Sequence, residues 1–119
     1  MKMNTPHTQA ARLEQAYRRL GTRNPSCVIC GESYAHALEL HHIGEQAFHD
    51  DLAIVCRNCH RKLSDGQIDR RQLSSPDRRT ETIGRYLLGL SDLFRLIANT
   101  LSSMARELLS DPESREAEE

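Results

Sequence analysis

Leu52-Ala53-Ile54-Val55-Cys56-Arg57-Asn58-Cys59-His60-Arg61-Lys62 is the stretch on which the fold turns. Its first four residues are apolar and partly β-branched, which reads as a strand. The Cys-x-x-Cys that follows at once is a tight turn offering two thiols to one point. From Asn58 to Ser64 a short helix fits, stopped by Asp65-Gly66. A strand therefore runs into half of a metal site and on into a helix. Upstream, Cys27-Val28-Ile29-Cys30 supplies the other half, and Gly31 suits the turn after it. Leu38-Glu39-Leu40-His41-His42-Ile43 reads as a strand, and Gly44 to Asp51 as a polar loop joining it to Leu52. The order is knuckle, hairpin, knuckle, short helix.

The chain has 119 residues, with three Tyr, two Phe and no Trp. A small domain with so few bulky side chains needs a staple, either disulfides or a metal. Met1 to Ala11 is polar and carries no apolar signal-like core, so the chain reads as cytoplasmic and its cysteines as reduced. Paired spacing in that setting points to one structural zinc held by Cys27, Cys30, Cys56 and Cys59. Two disulfides, or four buried free thiols, are the alternatives. Four thiolates around Zn²⁺ leave a net negative charge, which Arg57, Arg61 or Lys62 can offset. No run approaches the roughly 18 apolar residues of a membrane span.

Three histidines lie within this frame. His41 and His42 are neighbours on a strand, so their side chains leave opposite faces and cannot both reach one ion. One can bind a second metal while the other faces a substrate, and His60, at the start of the helix, can reach back to the same place. That gives two ligands and one free imidazole suited to taking a proton near neutral pH. His7, His36 and His49 fit no metal spacing and read as ordinary polar residues.

Cys27-x-x-Cys30, Glu39-Leu40-His41-His42-Ile43 and Leu52 through Lys62 together resemble the HNH endonuclease motif of the zinc-containing, four-cysteine ββα-metal type. The resemblance covers about Cys27 to Ser64, roughly a third of the chain. It implies a small α+β fold: a treble-clef-like, zinc-stapled ββα unit. His41 and His60 would ligate a catalytic divalent ion (Mg, Mn, Ni or Zn), and His42 would be the general base activating water against a phosphodiester. The four cysteines would hold the scaffold. Arg57, Arg61 and Lys62 would meet phosphates, the usual role of basic side chains. Two positions depart from the family. Asp51 stands where the family's middle Asn precedes the second strand, and can accept the loop's hydrogen bonds but not donate as an amide does. Ser64 stands where some members carry a further His. The function implied is a divalent-metal-dependent endonuclease or nickase acting on DNA, duplex rather than RNA. The alternative is a catalytically inactive zinc module that binds nucleic acid or serves as an assembly or adaptor protein through its C-terminal helix.

The flanks read as helices. Residues 1–23 form an N-terminal helix capped by Thr5, with Pro6 in its first turn and Gly21 closing it. Its apolar positions Ala10, Leu13, Tyr17 and Leu20 face the zinc unit of residues 24–70. Residues 71–110 form a long helix introduced by Ser75-Pro76-Asp77 and ended by Asp111-Pro112. In it Ile83, Leu87, Leu90, Phe94, Ile97, Leu101, Met104 and Leu108 alternate four and three apart, the period of a coiled-coil seam. Tyr86, Leu88, Leu93, Leu96 and Leu109 widen it, and Gly84 and Gly89 mark a kink or a close contact. An apolar seam of that length needs a cover. A homodimer through residues 76–110 is the simplest, and a partner protein or packing back on Leu13, Tyr17 and Leu20 are the others. Residues 111–119 read as a disordered acidic tail. The formal charge of −1 divides unevenly, with ten Lys/Arg against eight Asp/Glu up to residue 74 and six against nine after it. A near-neutral chain neither demands nor excludes a nucleic-acid partner.

Overall fold

The structure, a computed structural model, describes residues 8–109. Helix α1 (Gln9–Leu20) begins on Thr8, whose Oγ1 accepts the Ala11 N–H at 3.1 Å, and ends on Gly21 in the left-handed conformation at φ 79°. The described cap is therefore Thr8, three residues later than Thr5; Thr5, Pro6 and His7 lie outside the described residues. Thr8 serves because a hydroxyl at this position satisfies an N–H that the first turn leaves without a partner. Ala16 and Leu20 are buried, with Leu13 and Tyr17 packed on the same core. The face so formed lies on the strand Leu38–His42 and on a short 3₁₀ turn, Ala35–Ala37.

Strands β1 (Leu38–His42) and β2 (Leu52–Cys56) form one antiparallel ribbon in the register Leu38↔Cys56, Leu40↔Ile54, His42↔Leu52. Each outer edge of the ribbon is engaged. Arg19 of α1 donates to the Leu38 carbonyl at 3.0 Å, and the Val28 N–H from the first knuckle donates to the Ile54 carbonyl at 3.0 Å. Leu38, Val55 and Leu63 are almost fully enclosed and, with Ile29 and three of the cysteines, make the core.

Helix α2 (Arg57–Asp69) follows β2 without a linker and runs through Asp65-Gly66, five residues beyond the expected stop at Ser64. Gly66 lies where α2 crosses the next helix. A Cβ there would come within 3.2 Å of Asp92 Oδ2, so the glycine permits close packing and does not end the helix. Beyond it Arg70 pairs with Asp92 at 2.8 Å, both side chains largely buried.

Helix α3 (Arg78–Leu108) starts on Asp77, whose Oδ2 accepts from Thr80 N at 3.3 Å and Thr80 Oγ1 at 2.6 Å. Residues 71–77 of the expected helical segment are thus the connection to it, and Asp111-Pro112 lies outside the described residues. The helix meets the rest of the domain along Arg85, Gly89, Asp92 and Leu93. At Gly89 an added Cβ would overlap the Ile43 carbonyl, so the glycine is the close contact and Gly84, with open space around it, is not. Arg85 draws three segments together: Glu81 at 3.1 Å, Glu45 of the hairpin loop at 2.9 Å, and the Leu73 carbonyl. Its guanidinium also lies over the Phe48 ring. Most of the apolar seam read from the sequence faces elsewhere: Ile83, Leu87, Phe94, Leu101, Met104 and Leu108 are exposed, Leu90 is half-buried, and Ile97 packs against the core.

Candidate metal centre and histidine cluster

The first knuckle is built by its own backbone. Gly31 N–H donates to the Cys27 carbonyl at 2.9 Å, with Gly31 at φ 82°, and Cys27 N–H donates to the Glu32 carbonyl at 2.8 Å. Ile29 N–H points at Cys27 Sγ, 3.4 Å away. The second pair sits at the junction of β2 and α2, with Cys56 the last strand residue and Cys59 in the first turn of helix. All four sulfurs lie within 4.8 Å of one another, and Cys30 and Cys56 are 3.7 Å apart. No disulfide joins them. Zn–S bonds of about 2.3 Å put the sulfurs of a regular tetrahedron about 3.8 Å apart, so the set has the spacing of a four-sulfur metal site.

Their electrostatics fit the same reading. Burial pushes the Cys27 thiol up, but the backbone N–H groups of Cys30, Cys56 and Ile29 outweigh it and hold the group at about 7. Burial and the neighbouring Cys56 and Cys27 push Cys59 upward. Crowded sulfurs without a cation resist a second ionisation, whereas a bound cation would favour all four thiolates.

The hairpin divides the histidines as strand geometry requires. Glu39, His41, Ala53 and Val55 share the face that α2 covers; Leu40, His42, Leu52 and Ile54 share the other. His41 is 2% exposed, and its Nε2 is buried with no hydrogen-bond partner. Burial, followed by the nearby His60 and His42, lowers its pKa to about 4, so the ring is neutral. His60 approaches it edge-on, with ring centroids 5.3 Å apart. His60 Nδ1 is 2.8 Å from Glu39 Oε1, which leaves Nε2 as the free nitrogen of that ring. The structure thus brings His41 and His60 together and sends His42 to the opposite face at the strand's end. There the His42 carbonyl accepts from Gln67 Nε2 at 3.1 Å.

Glu39 is the residue whose part went unread in the sequence. Two positions before His41 on a strand puts it on the same face, and that spacing was the available signal. Its other oxygen lies 3.6 Å from Arg57 Nε. Glu39, Arg57, His60, Arg61 and Ser64 line an open depression of about 300 Å³. Arg61 is also tied to Asp65 at 3.3 Å. Lys62 lies on another side of α2, lining a hollow with Cys30, Cys59 and Leu96. It is the basic side chain of the three that borders the sulfur cluster.

Asp51 is engaged with α3 and with His49, whose Nδ1 lies 4.0 Å from its Oδ2. Its Oδ2 accepts the Tyr86 hydroxyl at 2.8 Å and its carbonyl accepts the Ile43 N–H at 3.0 Å, tying the loop to α3. His49 lies against the same Tyr86 ring, centroids 4.3 Å apart. Among the described residues the four cysteines are the one group of three or more ligating side chains close enough to share an ion. No described helix is long and apolar enough to cross a membrane. Compared with protein-family models, curated proteins and solved structures, the chain matches none.

Proposed function

We propose that the chain is a divalent-metal-dependent endonuclease or nickase of the HNH kind, with DNA as its substrate and a structural zinc on Cys27, Cys30, Cys56 and Cys59. The observation that carries the reading is the approach of His41 and His60 on one face of the hairpin, with His42 on the other. His41 Nε2, buried without a partner, and His60 Nε2, left free by Glu39, are the donor atoms a second ion would use. Bound there, a divalent ion supplies Lewis-acid stabilisation of charge on the phosphate and leaving oxygen.

The chain's own residues account for the rest. Glu39 fixes the His60 ring and its tautomer. His42 takes the proton of the attacking water. In-line displacement at phosphorus needs nucleophile and leaving group on opposite sides, and successive strand residues diverge in that way. The phosphodiester then lies across the end of β1, with His42 on the water side and the His41–His60 face on the leaving-group side. Arg57 and Arg61, bordering the depression beside His60, are placed to meet flanking phosphates.

Plasmid nicking by the purified, zinc-loaded protein in Mg²⁺, Mn²⁺, Ni²⁺ or Zn²⁺ tests this. His42→Ala is expected to lower the nicking rate by about 10²-fold or more while leaving the protein folded. Cleavage by His42→Ala at the wild-type rate would remove His42 from the role of base.

A second reading has an observation of its own. Arg57 and Arg61 already face Glu39 and Asp65, and Asp51 is spent on Tyr86. A catalytically silent zinc module that binds nucleic acid or a partner protein needs no more than this. Saturable DNA binding with no cleavage in any of these metals would favour it.

A further inference from the structure

Helix α3 carries two faces, of which the domain covers one and, of the other, only the edge at Ile97, half-buried against the core. At about 100° per residue, the packed stripe through Arg85, Gly89, Asp92 and Leu93 lies roughly 125° around the helix from the centre of the seam through Ile83, Leu87, Leu90, Phe94, Ile97, Leu101, Met104 and Leu108. From Leu101 to Leu109 every residue is exposed, so the last turns project beyond the domain. Helices draw most of their stability from packing an apolar face, and a projecting stretch with Leu101, Met104, Leu108 and Leu109 bare has none of its own. No charged residue occupies the seam between Ile83 and Leu108, and its edge at Gly84, Ser91, Ala98 and Ala105 is small throughout.

We infer that the seam is a homodimer interface in which α3 of a second copy lies antiparallel, on a two-fold axis between Arg95 and Leu96. This does not rest on the nuclease reading. The spacing of the seam is its own complement under reversal. Set antiparallel, Ile83 meets Leu108 of the second copy, Leu87 meets Met104, Leu90 meets Leu101 and Phe94 meets Ile97, and the axis repeats each layer. Every apolar residue of the seam is matched and none is left over. The small flank then faces itself, Gly84 near Ala105 and Ser91 near Ala98, which lets the two backbones approach.

Charge favours the same direction. At the start of α3 Asp77 and Glu81 balance Arg78 and Arg79, and near its end Arg106 balances Glu107, but the sequence beyond continues with five acidic residues against one arginine. Parallel pairing would set two such acidic ends together; antiparallel pairing sets each against a neutral start. A seam about 38 Å long on a helix about 10 Å across covers roughly 600 Å² per copy. That is about 1,200 Å² in total, the lower edge of what a stable specific interface buries.

Sedimentation equilibrium on the full, zinc-loaded chain is expected to show a monomer–dimer equilibrium. Leu101→Glu is expected to weaken it at least tenfold. Leu101 lies on the projecting part of the helix, so retained zinc would confirm that the domain itself is intact. A chain that stays monomeric to about 100 μM would overturn the interface. Direction is tested by disulfide trapping with Ser91→Cys and Ala98→Cys variants. Antiparallel pairing gives a crosslinked dimer when the two are mixed; a crosslink formed efficiently by either variant alone, and not enhanced by mixing, would overturn the register.

Discussion

His41 is a base held where its charged form is disfavoured. Burial together with His60 and His42 keeps it neutral down to about pH 4, whereas the imidazole of the unfolded chain takes up a proton near pH 6.5. Between those values the unfolded state binds more protons, so stability rises with pH and is lost as pH falls from about 6.5 toward 4. In protein stripped of any second divalent ion, His41→Gln is expected to flatten this part of the profile relative to wild type, read by denaturant melts at successive pH values. An unchanged slope would mean that His41 is not the group responsible. The alternation of strand side chains made it legible in the sequence that His41 and His42 part company. What the sequence could not show is which of them is enclosed, because that depends on the side of the ribbon that α2 covers. Glu39 was quoted in the motif without a role for a similar reason. Its partner His60 is 21 residues away, and only the crossing of α2 over β1 brings the two within 2.8 Å. Asp51, which the sequence suggests as a loop-positioning residue, accepts the Tyr86 hydroxyl of a helix that the loop's own sequence does not announce.

Among the elements, the hairpin and both knuckles were legible because short-range patterns set them: apolar strands, a polar loop, Gly31 at the turn. The helices were legible in kind but less so in extent. Asp65-Gly66 carries a stop signal, and α2 continues through it because contact with α3 outweighs glycine's cost of about 1 kcal/mol. Gly84 and Gly89, five residues apart in α3, look alike in sequence and are opposite in role. Gly89→Ala would drive a methyl into the Ile43 carbonyl, and is expected to destabilise the domain by about 3 kcal/mol or to lift α3 from the end of β1. Gly84→Ala meets open space within the chain and is expected to stabilise by up to about 1 kcal/mol. Thermal melts of the two variants side by side separate these cases. Equal and small effects would mean that α3 does not seat where Gly89 lets it. The heptad seam, conspicuous in the sequence, is mostly the face that α3 leaves bare within the domain; Ile97 at its edge, with Leu93 and Leu96 beside it, packs on the core. Its packing face carries Arg85 and Asp92, buried charges that no hydrophobic pattern reveals, and whose partners Glu45 and Arg70 lie on other elements.

At the scale of the whole molecule, the four cysteines join segments that little else unites. Cys27 and Cys30 precede the hairpin, and Cys56 and Cys59 close it. An ion between them would fix the first knuckle against β2 and the start of α2, and with it the position of His60. Chelation of the zinc proposed here is expected to unfold the domain cooperatively, since metal affinity in such sites is largely folding free energy, and circular dichroism during titration with a strong chelator would read it. The proposed nicking would then vanish together with structure, whereas His42→Ala would remove it from a folded protein. A chain that kept its native spectrum without metal would show the sulfurs to be dispensable. The knuckle has one more consequence. A two-stranded ribbon consists only of edges, and an uncovered edge is a template on which another chain can add as a further strand. Here the Val28 N–H closes β2 at Ile54 while Arg19 closes β1 at Leu38. Releasing the knuckle would bare the Leu52–Val55 run, apolar and uncharged, to its counterparts in other molecules. An ion on the sulfur cluster would thus guard against aggregation as well as hold shape: its loss would expose the segment of the chain best suited to intermolecular β-aggregation.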